Sequence, residues 1–150
     1  MSRIRTIVHP TDFSRASTAA FKRAVEMAKD NRAQLLLVHV LAPVVATMMP
    51  DGYVPPNLYE EMEAAARADA QKHLRKLEDQ AKRSGVRVKS FLLDGVAHER
   101  IVQAARSRKA DVVVIGTHGR TGFARFFLGS VASRVLAIAP CPVLTVRGKK

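Results

Sequence analysis

Short apolar runs alternate along this chain with longer stretches whose apolar positions return every three or four residues. The runs predict strands at Ile4–His9, Gln34–Val40, Val86–Leu93, Val112–Ile115 and Val143–Val146. Between them, Ala20, Phe21, Ala24, Val25 and Ala28 mark one face of a helix that ends near Asp30. Asp12 or Ser14 is its N-cap. Leu58, Met62, Ala65, Ala66, Leu74, Leu77 and Ala81 mark the longest helix, Leu58–Ser84, which Gly85 stops. Ile101, Val102 and Ala105 mark a third, Ala97–Arg108. A fourth runs from Leu128 through Val131, Ala132, Val135 and Leu136 to Ala139.

Gln34–Val40 is apolar almost throughout, as a parallel strand covered on both faces must be. Val86 and Val88 instead alternate with Arg87 and Lys89, which predicts an edge strand with one wet face. Strand and helix alternate to the end of the chain. That is the signature of an α/β fold with a parallel, doubly wound (Rossmann-like) sheet, helices on both faces and right-handed crossovers. The 150 residues read as one domain. Ala42–Asn57, with Pro43, Pro50, Gly52, Pro55 and Pro56, is irregular and is expected to be a flap or a loop packed on its own side chains.

In such a sheet, ligands bind beyond the carboxyl ends of the strands where strand order reverses. The loops after the first and fourth strands hold the most distinctive residues. If those strands are neighbours, Asp12 faces the loop Gly116–Ser130 across one crevice. Gly116, Gly119, Gly122 and Gly129 interrupt that loop before the fourth helix. Glycines let backbone N–H groups approach a phosphate and can adopt positive φ, and a helix N-terminus supplies unpaired donors and partial positive charge. Ser130 adds a hydroxyl, and Arg120 and Arg125 add full charges.

Composition narrows the ligand. No segment supplies a Walker A loop, and the first βα turn, His9–Ser14, has no glycine of a dinucleotide fingerprint. His9, His39, His73, His98 and His118 show no metal-ligand spacing, and no nucleophile elbow is present. Cys141 is the single cysteine, so no intrachain disulfide forms, and it reads as a small hydrophobe. No apolar run approaches a membrane span, and no signal peptide is visible. The formal net charge of +12 favours anionic partners. The basic residues are scattered, which reads as a solvated surface with nucleic-acid binding as the alternative.

The spacing Gly116-x2-Gly119-x9-Gly129-Ser130 resembles the ATP-binding motif of the universal stress protein family. So do Pro10-Thr11-Asp12-Phe13-Ser14 and His39-Val40, and the resemblance runs from Arg3 to Arg147. It implies five parallel strands in the order 3-2-1-4-5 and a cytoplasmic homodimer paired through the last strand, Pro142–Val146. It also implies ATP as ligand, with Mg2+ or Mn2+ held through its phosphates. The implied site is Pro10, Thr11, Asp12, Val40, Gly116, His118, Gly119, Arg120, Gly129 and Ser130. Asp12 holds the ribose, the Val40 backbone meets adenine, and the glycine loop with Ser130 takes the phosphates. A carboxylate accepts from ribose hydroxyls and would repel phosphate, so Asp12 suits that end. Ala97 stands where the family often has proline. The function implied is a nucleotide-binding stress regulator with at most slow hydrolysis. A nucleotide-dependent enzyme and a nucleic-acid module are the alternatives.

Overall fold

The computed structural model describes residues 2–43, 52–117 and 128–148. The strands are β1 (Thr6–Pro10), β2 (Gln34–Leu41), β3 (Arg87–Asp94), β4 (Val112–Gly116) and β5 (Val143–Val146). All neighbours pair in parallel, in the order β3-β2-β1-β4-β5. The helices are α1 (Arg15–Asn31), α2 (Pro56–Arg83), α3 (Ala97–Ser107) and α4 (Ser130–Ile138).

Successive strand residues point to opposite faces, and both faces are covered. Ile7, Leu35, Leu37, Val112 and Val114 join Phe21, Ala24, Leu74 and Ala81 under α1 and α2. Val8, Leu36, Val38, Val113 and Ile115 join Ile101, Ala105, Ala132 and Val135 under α3 and α4. That is why β1, β2 and β4 carry apolar residues at consecutive positions. Fully burying each large side chain contributes about 1.5–3 kcal/mol. Arg87 and Lys89 of β3 are exposed while Val88 is buried, as expected of an edge strand.

Element ends differ from expectation by a residue or two, with local causes. Helix α2 starts at Pro56 rather than Leu58, because proline needs no N–H partner in a first turn. Ala42–Asn57 lies partly outside the described residues. The helices before β2, β3 and β4 end the same way, on a left-handed residue: Arg32 (φ 52°), Gly85 (φ 82°) and Lys109 (φ 52°). In each, the next amide donates back across the turn: Ala33 to Ala28, Val86 to Ala81 and Ala110 to Ala105, at 2.8–3.1 Å. Glycine marked only the second of these stops.

The chain winds from β1 outward to β3, then crosses through α3 to β4 on the other side of β1. Strand order therefore reverses between β1 and β4, which places the ends of those strands side by side.

Candidate functional site

At the carboxyl end of β1, the Thr11 amide still bonds β2, donating to the Val38 carbonyl at 2.8 Å. The chain then turns tightly into α1. The Phe13 amide donates to the Thr11 hydroxyl at 3.1 Å, and Phe13 is left-handed at φ 64°. A non-glycine residue there is uncommon and carries strain that its surroundings must hold. Its ring lies against His39 and His73, tilted 32° to each, with centroids 4.5 and 4.8 Å away. His39 is fixed from its other side, its Nδ1–H donating to the Thr11 carbonyl at 2.7 Å.

Ser14 is the N-cap of α1, its hydroxyl accepting from the Ser17 amide at 3.2 Å. Asp12 braces that cap. Its Oδ1 accepts from the Ser14 amide at 2.9 Å and from the Ser17 hydroxyl at 2.7 Å. The Ser17 hydroxyl accepts in turn from the Asp12 amide at 3.2 Å. The Asp12 carboxylate is thus aimed before any ligand arrives.

At the end of β4, the Thr117 amide donates to the Val146 carbonyl at 2.9 Å. Residues 118–127 follow, and His118, Gly119 and Arg120 lie there, outside the described residues. The described chain resumes at Leu128, and the Gly129 amide donates to the Thr117 carbonyl at 2.6 Å. Gly129 is the N-cap of α4 at φ −55°, ψ 153°, a conformation any residue adopts. Gly129 brings no side-chain cap to α4 and its first turn has no acidic residue, so among the described residues the partial positive charge of the helix N-terminus stands at the crevice.

These ends converge on a cavity of about 220 Å³. Pro10, Thr11, Asp12, Val40, Gly116, Gly129 and Ser130 all line it. Thr117 and His39 line it too, with Ala97 and Ile101 of α3. Periodicity marks Ile101 only as a core position, because nothing in a helix pattern tells which buried residue ends at a cavity. The lining brings together the Asp12 carboxylate from the β1–α1 turn and the N-terminus of α4, which differ in polarity. Val38, Val40, Ala97, Ile101, Ile115 and Val131 make much of the remaining lining apolar, beside the polar Thr11, Ser17, His39 and Thr117. A ligand with a flat apolar part, hydroxyls and an anionic end matches that lining.

His9 is buried completely on the other sheet face. Its Nδ1–H donates to the Val114 carbonyl at 2.8 Å, and Nε2 has no partner. Burial, the largest effect, lowers its pKa to about 4, so the ring is neutral. It is a core residue. Cys141 packs against the α3–α4 core, and burial raises its thiol pKa. Among the described residues no three His, Cys, Asp or Glu side chains group to hold a metal, and no helix is long and apolar enough to cross a membrane.

The same architecture recurs in solved structures. Universal stress protein UspA from Lactobacillus plantarum superposes with a TM-score of 0.84 at 28% identity, over 98% of this chain and 100% of that one. A universal stress protein crystallised in complex with cAMP does so with a TM-score of 0.74 at 26% identity, over 99% and 100%. In sequence, universal stress protein MJ0531 of Methanocaldococcus jannaschii is 36% identical over 148 residues, 97% of this chain and 84% of that protein. The model of the universal stress protein family matches residues 3–147. The chain belongs to the universal stress protein family.

Proposed function

We propose that the cavity between the ends of β1 and β4 binds an adenine nucleotide, and that the protein acts as a nucleotide-binding stress-response regulator. The observation that carries this reading is the meeting of Asp12, Val40, Gly116, Gly129 and Ser130 in one cavity. Those residues come from four separate parts of the chain. A similar protein, 26% identical, was solved with cAMP. Asp12 takes the ribose hydroxyls, the Val40 stretch takes the base, and the N-terminus of α4 with Ser130 takes the phosphates. The cavity is smaller than the roughly 300–1,000 Å³ that encloses a drug-sized ligand, so the phosphates sit at its mouth.

ATP is the proposed physiological ligand, with Mg2+ or Mn2+ held through its phosphates. His118, Gly119 and Arg120 complete the phosphate end in this reading. Hydrolysis is slow at most, because Asp12 is the sole carboxylate in the described lining and its Oδ1 already accepts two hydrogen bonds. The chain works as one domain, in the cytoplasm, as a homodimer paired through β5. That strand is a sheet edge, and Leu136 and Ile138 of neighbouring α4 are 50% exposed.

Calorimetry with AMP, cAMP and ATP on nucleotide-stripped protein tests the reading. Saturable binding of at least one supports it. No binding of any of them to folded protein overturns it.

A further inference from the structure

Among the described residues the helical cover of the sheet face under α3 and α4 thins toward its β3 edge. Among the described residues α3 packs on β2 and β1, and the helix that reaches β3 is α2, on the opposite face. Beside α3 this leaves a second cavity, of about 190 Å³. Its floor is Val8, Leu36, Val38, Phe91 and Leu93. Its wall is the flank of α3 carrying Arg100, Gln103, Ala104, Ser107 and Arg108. Those positions follow the i, i+3, i+4, i+7, i+8 spacing of one helix side. The charged part of the lining is two guanidiniums and no carboxylate.

The arginines are held differently. Arg108 lies over the Phe91 ring, its Cζ 4.5 Å from the centroid, which keeps a positive charge against the apolar floor. Arg100 donates through Nη1 to the Gln103 side-chain oxygen, while its Nε is buried without a partner. Buried donors are rarely left unpaired. Turning the Arg100 guanidinium toward the cavity would let Nε and Nη meet a carboxylate as a fork.

We propose that this cavity is a ligand site for a small carboxylic acid with an apolar body. The hydrocarbon lies on Phe91 and Leu93, and the carboxylate meets Arg100 and Arg108. A bare inorganic anion fits poorly, because the floor would strip its water and return no hydrogen bond. The volume falls below that of drug-sized pockets, which restricts the body to a short chain or single ring. The site is separate from the nucleotide cavity, on the other flank of α3, and does not depend on that reading.

The test is an amide chemical-shift titration of the full chain with hexanoate, hexanamide and inorganic phosphate at constant pH and ionic strength. Hexanoate is expected to give saturable shifts at Phe91, Leu93 and Ala104. Hexanamide is expected to bind about tenfold more weakly, the scale of one charge-assisted hydrogen-bonded pair. Phosphate is expected to leave these residues unmoved. Arg100→Gln and Arg108→Gln should each weaken hexanoate several-fold. If either variant fails to fold, the hexanoate–hexanamide comparison on the native chain decides alone. Equal affinities for those two ligands overturn the proposal. So do the absence of saturable shifts and shifts that map instead to Asp12 and Gly129.

Discussion

A methyl group built on Gly116 would stand 2.9 Å from the carbonyl carbon of Ala16 and 3.2 Å from the Ser17 amide nitrogen. The first glycine of the loop is therefore small because the first turn of α1 lies against it. That contact ties the end of β4 to the helix whose Ser17 orients Asp12. Gly116→Ala is expected to cost about 1–3 kcal/mol, the range for overpacking a close-packed site. It should also weaken nucleotide binding, by shifting Ser17 and Asp12 together. Urea unfolding and calorimetry on the same samples check both. An alanine variant as stable as the native chain would show that α1 yields freely there.

Asp12 braces the α1 cap and, in the proposed reading, also holds the ribose; the asparagine variant separates the two roles. Asp12→Asn keeps an oxygen that accepts from the Ser14 amide but removes the charge. It is expected to leave the fold nearly unchanged and to weaken AMP by about 1–3 kcal/mol. Inorganic triphosphate, which has no ribose, should lose much less. Equal losses for the two ligands would place the effect in the α1 turn rather than at the sugar.

Ser17→Ala removes the hydroxyl that donates to Asp12 Oδ1. The same hydroxyl accepts from the Asp12 amide, so the expected cost is about 1–3 kcal/mol of stability, the scale of two hydrogen bonds, together with weaker AMP binding. Unchanged affinity would mean that the Ser14 amide aims the carboxylate by itself.

His9 predicts an acid limit to stability. Its folded pKa, about 4, lies below the ordinary value near 6.5, so below pH 6.5 the unfolded chain binds the proton first. Above pH 6.5 the ring is neutral in both states and adds no pH dependence, and stability falls as pH drops from 6.5 toward 4. The loss over that window is about 3 kcal/mol. His9→Gln should flatten that part of the pH profile of unfolding free energy. A native profile that matches the variant's would remove His9 as the cause.

The proposed dimer needs a probe that spares the monomer. Leu144 and Val146 of β5 pack on the α1-side core, so Leu144→Lys would damage the fold as well as any interface. Leu136 of α4 is half exposed and is the cleaner site. Leu136→Lys is expected to turn a sedimenting dimer into a folded monomer. A native chain that sediments as a monomer at micromolar concentration would refute the dimer.

Periodicity alone determined that strands and helices alternate and that β3 lies at an edge, and it placed the start of α4, at Leu128, within two residues of where it lies. These features were legible because burial on both faces, or on one, leaves its mark on every second or every fourth residue. Much of the lining of the candidate cavity was legible too, while His118, Gly119 and Arg120 lie outside the described residues. The resemblance named Pro10, Thr11, Asp12, Val40, Gly116, Gly129 and Ser130, and all of them line one cavity.

What only the tertiary structure decided was which neighbours each residue meets. The left-handed stops at Arg32 and Lys109 and the left-handed Phe13 carry no sequence mark, because the packing of the following strand, or of His39 and His73, imposes them. The reason Gly116 is glycine lies a hundred residues away, in α1. The second cavity, beside Arg100 and Arg108, lies where among the described residues α3 packs chiefly on β2 and β1 and leaves the β3 edge thinly covered. Local pattern records whether a side chain is buried. It cannot record against what, since that depends on chain segments brought together by the order of the strands.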